Sequence, residues 1–236
     1  MSEPPRRRMV RAPVRGGEAG RGRHVNAVRG KTPSSKAWIE RQLNDPFVRA
    51  AKVKGYRSRA AFKHSEIDDR FHLLRPGARV IDLGCAPGGW IQLALERKAG
   101  VVVGVDLLPT EPLPPATLLL MDFTDPACAA ALEEALGGPA DLVLSDMAPN
   151  TTGHRSTDHL RIIDLGEQAA AFAVTVLAPG GAFVAKAFQG GETAGLIAGL
   201  KRRFAAVRNV KPKASRAESS EVYIVASGFG RRPVKD

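Results

Sequence analysis

Large apolar residues are unevenly distributed along this chain. Residues 1 to about 35 contain few of them and are rich in Arg, Gly and Pro. Such a segment buries too little surface to offset chain entropy, which predicts disorder there in the isolated protein. From Ser35 the pattern changes. Trp38, Ile39, Leu43, Phe47 and Val48 recur at helical spacing, and a second helical stretch runs from Ser58 through Phe71 on Ala61, Phe62, Ile67 and Phe71. Arg75-Pro76-Gly77 then marks a turn. Beyond it, short apolar runs alternate with longer amphipathic ones. Strands are predicted over Arg79–Gly84, Val101–Asp106, Thr117–Met121, Asp141–Asp146, Ala182–Phe188, Ala205–Lys211 and Glu221–Ser227. Helices are predicted over Gly89–Lys98, Pro126–Leu136, Asp158–Leu177 and Glu192–Arg203, with Pro179-Gly180-Gly181 as a break before the fifth strand. Strands that alternate with helices in this way predict an α/β protein with a mostly parallel sheet covered on both faces. The short connection Pro212–Ser220 suits a terminal antiparallel hairpin better than another crossover.

These boundaries divide the 236 residues into a basic arm (1–35), one catalytic-sized domain (36–230, its N-terminal helices within 36–75) and a short tail (231–236). Charge sharpens the division. Residues 1–63 hold 17 Lys/Arg against 4 Asp/Glu, a net of +13, whereas residues 64–236 hold 18 against 20, a net of −2. A basic arm on a near-neutral body fits a polyanionic partner, nucleic acid above all; a solubilising tail has the same composition. The two cysteines, Cys85 and Cys128, make neither a disulfide framework nor a zinc-type pair, in keeping with a reducing compartment such as the cytoplasm. His154 and His159, expected in one loop, have no third ligand nearby, so no metal site is predicted. The longest apolar stretch, about Ala169 to Ala178, is too short to cross a bilayer. The N-terminus has no hydrophobic segment of the kind that follows the basic residues of a secretory signal, although an Arg-rich organellar transit peptide shares its character.

The first predicted strand ends in Asp82-Leu83-Gly84-Cys85-Ala86-Pro87-Gly88-Gly89-Trp90, a glycine-rich turn leading into a helix. That grammar belongs to cofactor sites at the carboxyl end of a parallel strand. A dinucleotide fingerprint needs backbone amides to hold a pyrophosphate, yet here the middle glycine is missing and Pro87 removes an amide. A ligand without phosphates suits the turn better, and S-adenosylmethionine (SAM) is such a ligand. Asp106 ends the second strand, where a carboxylate accepts ribose hydroxyls; Asp122 follows the third, where it accepts from an adenine amino group. Either acid alone reads equally well as a turn former. Together, after that turn, they favour SAM over NAD. Asp146 ends the fourth strand within Ser145–Asn150, and Lys186 lies in an otherwise apolar fifth strand, an expensive position for an amine without a partner or a task.

Arg57-Ser58-Arg59-Ala60-Ala61-Phe62-Lys63, the turn Asp82–Trp90, Asp106-Leu107-Leu108-Pro109, Ser145–Asn150, Lys186-Ala187-Phe188-Gln189-Gly190 and Ser215-Arg216 through Glu221–Val225 occur in one order. Together they resemble the FtsJ/RrmJ family over about Trp38 to Gly228. The resemblance implies a Rossmann-like SAM-dependent methyltransferase fold and 2′-O-ribose methylation of RNA by a Lys-Asp-Lys-Glu tetrad, here Lys63, Asp146, Lys186 and Glu221. It implies SAM contacts from Gly88, Trp90, Asp106, Asp122 and Asp146. It also implies, as acceptor, a uridine ribose in the A-loop of 23S rRNA of the large ribosomal subunit. A monomer is the simplest expectation for such an enzyme. The basic arm departs from the family's core. An unperturbed lysine, with a pKa of about 10.4, is mostly a spent base at neutral pH. A second ammonium, Lys63, and partial burial both disfavour charge on Lys186, whereas Asp146 opposes that shift and orients the amines, and Glu221 holds one lysine. Lys186 is thereby the expected general base. Lys52, Lys54, Arg57 and Arg59 are expected to contact phosphates, and the loop Asn150–His159 to touch the target nucleotide. Other readings are a tRNA or cap 2′-O-methyltransferase, a non-catalytic ribosome-assembly factor on the same scaffold, and a NAD-dependent oxidoreductase.

Overall fold

Each strand expected from the apolar pattern forms within two residues of its expected ends, except the fifth. The computed structural model describes residues 43–148, 155–190 and 193–230, the side chains of 155–159 excepted. The expected arm (1–35), the tail (231–236) and the positions Trp38 and Ile39 lie outside the described residues. In chain order the elements are α1 (Pro46–Lys54), α2 (Ala60–Phe71), β1 (Arg79–Leu83), α3 (Gly89–Glu96), β2 (Val101–Asp106), β3 (Thr117–Leu120), α4 (Pro126–Leu136), β4 (Ala140–Ser145), α5 (Arg155–Val176), β5 (Leu177–Phe188), α6 (Ala194–Lys201), β6 (Phe204–Val210) and β7 (Glu221–Phe229). The strands form one sheet in the order β3-β2-β1-β4-β5-β7-β6. Pairs among β1 to β5 are parallel, whereas β7 runs antiparallel to both β5 and β6.

Alternation along the strands divides the core between two faces. Ile81, Leu83, Val103, Val105, Val143 and Phe183 pack with α4, α5 and α6. Val80, Val102, Leu142, Leu144 and Val184 pack with α2 and α3 through Ile67, Trp90, Ile91, Leu93 and Ala94. Each such buried aliphatic side chain contributes about 1.5–3 kcal/mol of transfer free energy. A third, small cluster of Phe47, Ala51, Tyr56, Ala61, Phe62 and Ala214 docks α1 onto α2 and onto the β6–β7 connection.

Three expectations need correction. The helical spacing across Leu43, Phe47 and Val48 is interrupted: Asp45 is non-helical, its side chain caps α1, and Pro46 opens the new helix. Proline has no N–H to continue the preceding helix and its ring clashes with the turn before it. Pro179-Gly180-Gly181 does not precede the fifth strand but lies within it. Gly180 adopts φ 85°, and the pairing with β4 jumps from Ala140–Leu177 to Leu142–Ala182, so the chain kinks without leaving the sheet. The loop expected over Asn150–His159 is shorter, because the backbone is already helical from Arg155. Ser156-Thr157-Asp158 reads as a capping sequence, but such residues are also tolerated in a first turn, whose N–H groups have no intrahelical partners. Residues 149–154 of that loop lie outside the described residues.

Candidate active site

Sheet register brings the catalytic candidates together. Asp146 directly follows β4, and Ser145 pairs with Ala185, which places Asp146 beside Lys186. On the other side of β5, Lys186 faces Tyr223 and Phe188 faces Glu221. Alternation then puts Glu221 and Tyr223 on one face of β7. Helix α2 supplies Lys63 from above. The resulting contacts are short. Lys63 Nζ lies 2.8 Å from Glu221 Oε1 and donates to Tyr223 Oη at 3.1 Å. Tyr223 Oη donates to Asp146 Oδ1 at 2.7 Å. Lys186 Nζ stands 3.0 Å from the same Oδ1 and donates to the Asp146 carbonyl at 2.5 Å. All four predicted members therefore belong to one network, Glu221–Lys63–Tyr223–Asp146–Lys186.

Tyr223, the central link, was not among the predicted site residues. The available signal was its position two residues after Glu221 on a strand. It is fully buried. Burial, and then the carboxylates of Asp146 and Glu221, push its phenol well above the ordinary value, so it stays protonated and fixes the direction of the hydrogen bond to Asp146. Asp146 shows the opposite balance. Burial raises its carboxyl, but Lys186, Lys63 and the Tyr223 hydroxyl outweigh that and hold it below the usual carboxylate range. Each lysine thus has a carboxylate partner, as ammonium groups this withdrawn from water require. Ser215 completes the network by donating to Glu221 Oε1 at 2.7 Å.

Asp146 also lines a cavity of about 510 Å³ at the carboxyl ends of β1, β2 and β4, within the range of small-molecule sites. Gly84 and Ala86 form its floor, and Asp106, Leu107, Leu108, Asp122 and Phe123 form one wall. Arg161, Asp164 and Leu165 of α5 also line the cavity; their role depends on how the helix packs, and no local pattern announced it. Asp106 is anchored by the turn it helps to build: Oδ2 accepts from the N–H of Ala86 at 2.8 Å and Oδ1 from that of Leu108 at 2.9 Å. Asp122 accepts from the N–H and hydroxyl of Thr124, which lower its carboxyl pKa. Gly84 has φ 79°, and a Cβ there would lie 2.8 Å from Met147 Cγ, so the turn needs glycine at this position.

Gly88 and Trp90 do not line this cavity. Gly88 (φ 105°) packs beneath Leu113 and Arg57. Trp90 is buried, donates Nε1 to the Ala60 carbonyl at 2.9 Å, and stacks on His64 with centroids 4.8 Å apart. Both sit behind the turn that they shape. Asp82, which the local pattern does not mark as a site residue, is 1% exposed and has no hydrogen-bond partner for either carboxylate oxygen among the described residues. Burial, with Asp146 and Asp106 nearby, holds its carboxyl well above the ordinary range. A cavity lined by Asp106, Asp122, Asp146 and Asp164 against the cation Arg161 favours a cationic ligand and disfavours a pyrophosphate. These residues fit a sulfonium donor carrying an ammonium group, and do not fit a dinucleotide.

The expected phosphate contacts divide. Lys52 and Lys54 are exposed on α1. Arg57 instead donates to the carbonyls of Pro87, Glu111 and Pro112 at 3.2, 2.5 and 3.0 Å, and Arg59 ion-pairs with Asp45. Both arginines are committed to the protein: the planar guanidinium of Arg57 reaches three carbonyls at once, and that of Arg59 spans a carboxylate and a carbonyl. No helix among the described residues is long and apolar enough to cross a membrane.

A sheet of this order, with a cavity at its strand ends and an amine–carboxylate network beside it, has the architecture of a methyltransferase. The FtsJ-like methyltransferase family model matches residues 56–229, and the chain belongs to that family. It is 61% identical over 226 residues to the ribosomal RNA large subunit methyltransferase E of Caulobacter sp. (strain K31), covering 95% of this chain and 100% of that one. The protein of the same name from Granulibacter bethesdensis is 58% identical, over 90% of this chain and 92% of its own length. A solved structure from Plasmodium falciparum, described as a ribosomal RNA methyltransferase, matches with a TM-score of 0.67 and 30% identity, over 75% of this chain and 100% of that chain.

Proposed function

We propose that this chain transfers a methyl group from SAM to the 2′-hydroxyl of an RNA ribose, acting in the cytoplasm on a uridine in the A-loop of 23S rRNA of the large ribosomal subunit. The observation that carries this reading is the double membership of Asp146, which lines the donor cavity and pairs with Lys186. SAM supplies an electrophilic methyl on a sulfonium. The chain's own residues do the rest. Asp106 and Asp122 accept from the ribose hydroxyls and the adenine amino group, and the acids that line the cavity compensate the donor's positive charge. Gly88 and Trp90 shape that turn from its buried side. Lys186, once its ammonium has released a proton to solvent, takes as a neutral amine the proton that the 2′-hydroxyl loses as it attacks, and Asp146 orients both groups. Lys63, held by Glu221 and Tyr223, keeps Asp146 ionised and in place. The names of the relatives support large-subunit RNA as the acceptor. The exposed Lys52 and Lys54, together with the arm's net charge, supply phosphate affinity.

The test is incubation of labelled SAM with total RNA and with isolated large and small ribosomal subunits, followed by mapping of the modified nucleotide. Label is expected at one ribose of the large-subunit RNA, with the adjoining phosphodiester resistant to alkali. Label in tRNA, on a base, or in no RNA overturns the assignment.

A further inference from the structure

The Lys63–Glu221 pair is tied to a second ion pair outside the reactive network. Asp45 is 8% exposed and does two tasks. Its Oδ1 caps α1, accepting from the N–H groups of Phe47 at 2.9 Å and Val48 at 3.4 Å. Its Oδ2 ion-pairs with Arg59 and lies 3.6 Å from Arg216 Nε. Arg59 donates its other terminal nitrogen to the carbonyl of Ala214, in the β6–β7 connection. Arg59 stands four residues before Lys63, on the same side of the first turn of α2. Ala214 immediately precedes Ser215, whose hydroxyl holds Glu221. Two rungs therefore join α2 to the β6–β7 connection. Arg59 to Ala214 is the outer rung, Lys63 to Glu221 the inner one, and Ser215 links them.

We propose that Asp45 and Arg59 are positioning residues for the methyl transfer. Their ion pair sets the distance between α2 and the β6–β7 connection, and so the placement of Lys63 against Glu221 and Tyr223. The planar guanidinium spans a carboxylate and a carbonyl at once, which a lysine's point charge does not. Ala214 is 1% exposed, so its carbonyl needs that donor. Asp45 in turn is immobilised by the helix it caps and by the cluster in which Phe47, Phe62 and Ala214 meet. The inference rests on the proposed methyl transfer.

Arg59→Lys and Asp45→Asn test it. Asparagine still caps α1 through Oδ1, so the second variant loses the charge and the acceptor that face Arg59 while the cap is kept. Steady-state methylation of ribosomal RNA, well below the thermal midpoint, should show kcat reduced about tenfold or more, because small displacements of reacting groups cost rates of that order. KM for RNA and the SAM Kd should stay near the values of the unsubstituted chain. In a Glu221→Gln background, where the inner rung is already broken, neither substitution should lower kcat further. Raised KM with unchanged kcat would make the pair an RNA contact and overturn the proposal. The same fold-loss in the Glu221→Gln background would make its effect generally structural and also overturn it. The SAM Kd, measured by calorimetry, reports folding of each variant. Should Asp45→Asn fail to bind SAM, the kcat of Arg59→Lys, in which Asp45 and the cap remain, decides the matter. An unsubstituted chain that methylates no RNA refutes the functional reading; an active chain with unaffected variants refutes the positioning role.

Discussion

Asp146 joins the two halves of the site, and its chemistry depends on being kept ionised. Two lysines and a protonated tyrosine do this against the effect of burial. Removing one lysine should therefore separate binding from chemistry. In Lys186→Ala the amine 3.0 Å from Asp146 is gone, whereas the Asp106–Asp122 side of the cavity is untouched. Single-turnover transfer from labelled SAM is expected to fall by roughly 10²–10⁴-fold, the usual worth of a general base, with SAM affinity near that of the unsubstituted chain. Turnover at the original rate would assign the proton to another group. A second residue-scale effect comes from His64, fully buried against Trp90. Burial pushes its pKa down from 6.5 to about 3, so the folded state holds the imidazole neutral. Between those values the unfolded chain binds the extra proton. Its contribution to stability is therefore complete above about pH 6.5 and is lost as pH falls towards about 3. In thermal melts over that window, His64→Leu should show a shallower fall in midpoint than the unsubstituted chain; parallel curves would refute the linkage.

At the scale of elements, the strands and most helices were legible because strand alternation and capping chemistry are written within a few neighbouring residues. What escaped was the response of an element to its neighbours. Pro179-Gly180-Gly181 has turn composition, yet β4 continues to pair with β5 on both sides of it, and the glycines become a kink. Helix α1 begins one residue after a side chain that is committed both to capping and to Arg59. The β1–α3 turn is the element whose composition was most informative, and its first glycine is the most constrained. Gly84→Ala would strain a left-handed residue by about 1–2 kcal/mol and press on Met147, next to Asp146. SAM affinity is expected to weaken about tenfold or more, since each 1.4 kcal/mol is a factor of ten. Calorimetric titration with SAM checks this, and an unchanged Kd would show that the turn accommodates a side chain.

For the molecule as a whole, charge is segregated by position. The net +13 of residues 1–63 sits on the N-terminal side of a near-neutral body, and α1 carries Arg49, Lys52 and Lys54 with no acid. Deleting residues 1–34 removes nine basic and two acidic side chains and leaves the sheet and the donor cavity. RNA binding should weaken, and the plot of log affinity against log salt should become less steep, because fewer counterions are released from the RNA. SAM affinity should not change. Anisotropy titrations at several salt concentrations measure both; identical affinity and slope would show that the arm has no part in RNA binding.

The four residues proposed for the reaction were legible as motifs only through the family resemblance. Local pattern alone marked Lys186 as misplaced in an apolar strand and Asp146 as a strand-end acid, and it had no means of joining them to Lys63 and Glu221. Those two stand 158 positions apart, and their contact exists because β7 inserts between β5 and β6 while α2 docks across its end. The amino-acid sequence by itself determined the succession of elements, the glycine turn with its acids, and the basic N-terminal side, all of them properties of neighbours along the chain. The tertiary structure alone decided that Tyr223 joins Lys63 to Asp146 through hydrogen bonds. It likewise decided that Asp82 lies buried near Asp106 and Asp146 and that Arg57 and Arg59 bond to the protein. Sheet register and helix docking set distances between residues remote in sequence, and no local pattern encodes those distances.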